Sequence, residues 1–211
     1  MNWFSKLFIK KSQQNLHADK QQSSRKRESL NYFEKGQEKY FNKEKSEALL
    51  YFDKSLEYGF ADFFENQATT LYDLRAGCLQ ELEFHYDAIN DYNKSISLSK
   101  NDCDKYFCRS RSKLAILDYE GAILDIEKAI EVSMIDNEHN RIFNDQAHEQ
   151  GYKNGAADFY QLGLQRVKMD LDSELESIQK IKNASSQEEK QYRQDMYDEK
   201  REKKLNRIKR R

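Results

Sequence analysis

Histidine and cysteine are the side chains that most often carry catalysis or hold metals near neutral pH. This chain has four of the first, His17, His85, His139 and His148, and three of the second, Cys78, Cys103 and Cys108. No two histidines have the HExxH spacing that turns both imidazoles to one helix face around zinc. His139 and His148 stand nine apart with Glu138 and Glu149 beside them, which reads as a solvated pair on a charged helix rather than a metal site. The cysteines are odd in number and none is in a CxxC pair, so a disulfide framework is not expected and a reducing compartment is. GxGxxG, GxxxxGK[ST] and GxSxG are all absent, leaving no phosphate cradle and no nucleophile elbow. No catalytic residue, metal or cofactor is expected, and the chain is not read as an enzyme.

The elements that must position any binding side chains are helices. Seven glycines and no proline in 211 residues give few turn signals for a sandwich or barrel, while Leu, Ile, Lys, Glu, Gln and Ala recur at helical spacing. Charged residues make up 35% and apolar ones 37%, a balance that suits an elongated all-α architecture with a thin core. The longest apolar run, Ala48 to Phe52, falls far short of the roughly 20 residues a membrane-spanning helix needs. The opening MNWFSKLFIKK interleaves Lys6 with apolar residues and makes a poor secretion signal, so a cytoplasmic location is expected.

Charge is balanced overall, 36 Lys and Arg against 37 Asp and Glu, but segregated along the chain. Residues 1–28 carry seven basic and two acidic side chains, residues 187–211 ten and six, and the body between them is acidic. Basic ends on an acidic body can fold back on it or reach for an anion.

A repeat organises the body. The segments ALLYFDKSL (48–56), AINDYNKSI (88–96) and AILDIEKAI (122–130) align without gaps, with a weaker copy in AADFYQLGL (156–164). Twelve residues before each leading alanine stands Gly36, Ala76, Ser110 or Asn144, and seven after it stands Ser55, Ser95, Ala129 or Gly163. Small residues at those places let two antiparallel helices cross closely, while Phe52, Tyr92, Ile126 and Tyr160 supply bulk on the second helix.

This pattern resembles the tetratricopeptide repeat, a 34-residue helix-turn-helix unit that stacks into a right-handed α-solenoid. The resemblance implies repeats at about 29–62, 69–102 and 103–136, an insertion from Phe63 to Ala68, and a degenerate repeat at 137–170 whose first helix, with Asn140 and Asn144 at its family positions, is expected to be displaced or irregular. The family's closing proline is replaced by Phe60, Lys100, Met134 and Lys168, so turn geometry is expected to depart from the family and helices to run on.

The resemblance also implies a concave groove lined by the first helix of each repeat. It would hold a peptide or helix of a partner protein against Phe33, Gln37 and Tyr40, then Asp73, Leu74 and Gly77, then Phe107, Cys108, Arg111 and Leu114. The clamp that some family members use to hold a chaperone's C-terminal carboxylate needs cations at set positions. Phe33, Gln37, Leu74, Asp104 and Cys108 stand there instead, so apolar anchors are expected rather than a carboxylate.

The ends supply two further readings. Trp3, Phe4, Leu7 and Phe8 share a helical face that resembles a short membrane-surface anchor, which makes a peripheral membrane scaffold the alternative function. Residues 1–28 are otherwise read as a flexible leader. Leu171, Leu175, Ile178 and Ile181 form a stripe that would cap the repeats over 171–186, and Ser186 with Glu189 forms a capping box opening a charged, solvent-exposed helix over 187–211. Its basic end predicts at most salt-sensitive, non-specific nucleic-acid contact. The leading expectation is a non-catalytic adaptor that binds another protein through its repeats.

Overall fold

The structure is a computed structural model that describes the backbone of residues 3–209 and the side chains of residues 19–209. Those described residues form ten helices and no strand, and the chain divides into two compact units, Met1–Leu74 and Arg75–Arg211. No helix among them is long and apolar enough to cross a membrane.

In the first unit α1 (Trp3–Phe41) packs against α2 (Lys45–Glu57). The segment expected as a flexible leader is therefore helical along its backbone and continuous with the first repeat helix. Trp3, Phe4, Leu7 and Phe8, expected at a membrane surface, lie outside the described side chains. Gly36 is the small residue at the crossing, and its neighbour is the Phe52 ring: a Cβ built on Gly36 would stand 2.6 Å from two ring carbons, with Phe52 fully buried. Two turns further on, the Ser55 hydroxyl donates to the Ser29 carbonyl at 2.8 Å, so a small polar residue closes the crossing without a void.

A short helix α3 (Phe60–Phe63) follows Gly59, whose φ of 87° makes the bend, and α4 spans Glu65–Glu81. Phe60 stands at the family's proline position. It is fully buried, with its ring 4.4 Å from Phe33 and 4.8 Å from Phe64.

The second unit holds the remainder: α5 (His85–Leu98), α6 (Cys103–Ala115), α7 (Tyr119–Ser133), α8 (Glu138–Glu149), α9 (Ala156–Lys182) and α10 (Gln187–Leu205). Its main core runs through Tyr106, Ala122, Ile126, Val132, Tyr160 and Leu164, the bulky and small positions of the third and fourth repeats.

All four first helices end in the same turn. Lys43, Glu83, Leu117 and Gly151 take positive φ, and the next residue's N–H reaches back five residues to a carbonyl at 2.8 to 3.0 Å, the Schellman arrangement. In three repeats the second helix begins two residues after that turn residue; in the fourth it begins five after Gly151. Asn144 is the cause. It occupies the small position, its Nδ2 donates to the Ser133 carbonyl at 3.0 Å, and its Oδ1 accepts the Ala156 N–H at 2.9 Å. A Cβ on Gly155 would lie 2.5 Å from that oxygen. The first helix of the fourth repeat, expected to be displaced or irregular, is a regular helix; the second helix starts late, capped by the Asn144 amide.

Two further boundaries move. α9 runs unbroken through the expected repeat end at 170, so the stripe expected over 171–182 continues that helix: Leu171 packs against the core and Ile181 is buried, while Leu175 is 53% exposed. Ser186 does open α10, accepting the Glu189 N–H at 3.1 Å, while the Glu189 carboxylate takes the Ser185 N–H instead of that of Ser186. No residue of α10 is buried, yet it does not stand free. Tyr197 and Arg201 both donate to Glu174 of α9, Lys204 lies over the Tyr119 ring, and the Lys209 N–H donates to the Glu83 carbonyl. Burial works against ionisation of Glu174, but those two hydrogen bonds hold its carboxyl below the ordinary range.

Candidate functional site

The expected groove residues differ in their local surroundings. Phe33 is a core residue: 4% exposed, with its ring between Phe52 and Phe60. The projection from the family placed it at the groove by its register on the first helix, but where the family has a proline this chain carries Phe60, whose ring packs on Phe33. Gln37 and Tyr40 are half-buried on α1, the Tyr40 ring lying under the Lys45 ammonium at 3.2 Å. Asp73, Leu74 and Gly77 are half-buried on α4.

Phe107, Arg111 and Leu114 of α6 do meet in one place. With Ser110 and Ala115 they make a single helical face, spaced i, i+3, i+4, i+7 and i+8, which forms one wall of a cleft of about 540 Å³. Phe159, Gly163, Arg166, Val167 and Asp170 of α9 form the other wall at i, i+4, i+7, i+8 and i+11, over a floor provided by Ile126 of α7. Gly163 makes the approach possible, since a Cβ there would lie 3.0 Å from the Phe107 ring. That ring lies 5.3 Å from Phe159 and 4.8 Å from Tyr160. Cys108, also expected in the groove, lines a neighbouring cavity of about 250 Å³ with Phe143 and Ala147 of α8, and Phe107 and Phe159 border both spaces.

The rim of the larger cleft is cationic. Arg111, Arg166 and Lys204 surround it against the single acid Asp170. Neither Arg111 nor Arg166 has a hydrogen-bond or ion-pair partner among the described residues. Elsewhere the arginines are used: Arg75 grips Asp91, and Arg109 grips Asp125, each by two N–H groups at 2.6 to 2.8 Å. Both pairs are sixteen residues apart and stand one residue before the small position and three after the leading alanine. The fourth repeat has Phe143 and Phe159 at those places, so aromatic rings line cavities where the inner repeats hold an ionic clasp. The clasp was legible as a recurring Arg–Asp offset, and Phe159, Gly163 and Arg166 as a helical face running toward the expected repeat end.

The chemistry-bearing side chains are held in structural roles. Burial pushes the Cys103 thiol up to about 11, and its sulfur lies 3.4 Å from the Tyr160 hydroxyl. Glu83, His85 and Ser112 line up as carboxylate, imidazole and hydroxyl at 2.9 and 3.3 Å, yet Ser112 has no solvent exposure and its Oγ also accepts from Gln80 at 2.7 Å. A hydroxyl sealed in this way meets no substrate. His148 bonds the Tyr152 carbonyl rather than approaching His139 as a ligand, and no group of three or more His, Cys, Asp or Glu among the described residues is placed to hold a metal ion.

His139 instead pairs with Asp104 at 2.6 Å, joining α8 to α6, and its hydrogen bond to that carboxylate raises its pKa above the ordinary value against the opposing effect of burial. A raised folded-state pKa stabilises the fold fully below the unfolded value near 6.5 and loses that contribution as pH rises through the folded value. The stability difference between the native chain and His139→Gln, followed by urea unfolding, should therefore shrink from about pH 5.5 to about pH 8.5. A difference that stays constant would remove the pair from any role in stability.

Comparison with known proteins finds likeness among solved structures alone. No protein-family model matches the chain, and no curated protein matches it. Among solved structures, one described by the features of the UNC-45 chaperone critical for binding and folding muscle myosin aligns over 78% of this chain and 17% of its own, at 15% identity and a TM-score of 0.52. The first TPR of Spaghetti (RPAP3), bound to the HSP90 peptide SRMEEVD, aligns over 70% of this chain and 95% of its own at 18% identity and 0.48. The Arabidopsis OM64 TPR domain aligns over 56% and 92% at 21% and 0.46. At these identities the likeness is one of fold. The class that the helix pairs, the recurrence of their leading alanines at 40, 34 and 34 residues and their shared turn define is the tetratricopeptide-type all-α repeat.

Proposed function

We propose that the chain is a protein-interaction adaptor that holds a segment of another protein in the cleft between α6 and α9. The observation that carries this reading is the cleft itself, an apolar groove of about 540 Å³ that the described chain leaves open to solvent. Large apolar side chains such as Phe107, Leu114 and Phe159 are retained at a water-facing cleft at a cost unless something covers them. The reading requires no catalytic step, in keeping with the sealed Ser112 and the buried Cys103.

The test is capture of partners from native lysate by the intact chain and by Leu114→Ala with Phe159→Ala, after circular dichroism shows equal helicity. The adaptor reading expects a partner enriched on the intact chain and lost on the cleft variant. It is overturned if capture survives that variant. Loss instead on removing residues 1–11 would favour the membrane-peripheral alternative, and loss on removing residues 200–211 contact through the basic end.

A further inference from the structure

We propose, resting on the adaptor reading above, that the segment seated between α6 and α9 is an acidic amphipathic helix of about three turns. The walls argue for a helix. Each is one face of a helix, and α6 contributes residues 107 to 115, a length of about 12 Å at the usual rise of 1.5 Å per residue. A groove between two helix faces receives a third helix by ridge-into-groove packing.

Backbone satisfaction points the same way. An extended segment leaves its N–H and C=O groups to be paired by the receptor, whereas a helix pairs its own. The floor offers Ile126, the α9 wall Val167, and the one hydroxyl on the α6 wall, Ser110, already donates to the Phe107 carbonyl at 2.7 Å. The receptor therefore has few groups to give an extended chain, and those it has, at the rim, are charged.

The rim argues for acid. Arg111 and Arg166 stand on opposite walls of the cleft, neither engaged by any described residue, with Lys204 reaching in from α10 and Asp170 the one opposing charge. Every other arginine fork described for this unit's inner repeats is spent on an aspartate, so two idle guanidiniums flanking an apolar floor complement a helix with Leu or Phe along one stripe and Asp or Glu on both shoulders.

The experiment uses the full chain and three labelled synthetic helices of about eighteen residues that share one Leu/Phe stripe and differ only in carrying Glu, Gln or Lys on both shoulders, read by fluorescence anisotropy. The Glu helix is expected to bind at least about ten-fold tighter than the Lys helix, with the gap narrowing between about 50 and 300 mM salt. Arg111→Glu with Arg166→Glu, both exposed positions, should reverse the order while helicity is kept.

Equal binding of the three helices, weakened by Leu114→Ala, overturns the acidic inference and leaves the adaptor reading standing. Failure of the Glu helix to bind overturns the inference, and the lysate capture then decides the adaptor reading separately. Self-association in sedimentation that the double Arg→Glu variant abolishes would give the cleft to a second copy of the chain, and that too overturns it.

Discussion

Replacing Asn140 by Ala should cost the second unit about 2 to 3 kcal/mol, because the Cys103 N–H and the Ile135 carbonyl lose their partner together, while the Asn101 and Val132 carbonyls, which also accept from Asn137 and from the Ile135 N–H, each lose one of two. Asn140 is fully buried near the start of α8. Its Oδ1 accepts the Cys103 N–H at 3.1 Å, one of the N–H groups that the start of α6 leaves unpaired. Its Nδ2 lies 2.9 Å from the Asn101 carbonyl, 2.8 Å from that of Val132 and 3.0 Å from that of Ile135. One amide thus ties the loop before α6 to the end of α7. The family's aromatic at this place would fill space without pairing any of these groups.

Asn140→Asp is the sharper variant. It places a carboxylate oxygen where Nδ2 stood, facing three carbonyl oxygens, so at neutral pH it should be at least as damaging as Ala. Urea unfolding followed by circular dichroism reads both. A loss under about 1 kcal/mol for Ala would mean that water or local rearrangement replaces the amide and that the hub has no energetic weight.

The second large effect is expected from the Arg109–Asp125 clasp, and there the signature is non-additivity. Asp125 is 4% exposed and accepts from Arg109 through both oxygens, with Lys113 at 2.9 Å, while the remaining Arg109 nitrogen donates to Asn93 at 2.7 Å. Arg109→Met leaves a buried carboxylate to Lys113 alone and should cost about 2 to 4 kcal/mol. Asp125→Leu leaves two cations facing a dry gap and should cost a similar amount.

The double variant should fall well short of the sum, since the apolar pair removes the desolvation penalty that each single variant exposes. A thermodynamic cycle in urea measures this. Simple addition of the two losses would show that the clasp does not act as a unit. Its recurrence as Arg75–Asp91, and its replacement by Phe143 and Phe159 in the fourth repeat, divides the unit into clasped inner repeats and a last repeat whose rings face cavities.

These elements differ in how far they could be read beforehand. The helix pairs were legible because crossing helices need small residues at fixed steps, and Gly36, Ala76, Ser110 and the alanines of the second helices repeat those steps in plain sequence. Ser186 as the start of α10 was legible for the same local reason. Phe33 was misplaced because its burial depends on Phe60, which stands where the family has a proline and brings a ring that the family's pattern lacks. The late start of α9 was hidden too: Asn144 marked an irregularity, but which helix would yield depended on where its amide found partners, Ser133 and Ala156.

By itself the sequence determined the all-α class, the repeat spacing, the paired small and large positions and the charged last helix, all of which rest on contacts within one helix or between neighbouring helices. Tertiary structure alone decided the cleft. Its walls stand on α6 and α9, brought together by Gly163 against Phe107 across 56 residues of chain, and its unpaired arginines are known to be idle only once every other partner is in place. Periodicity records what a helix turns toward its neighbour, whereas a cavity is the space left after all the helices have packed.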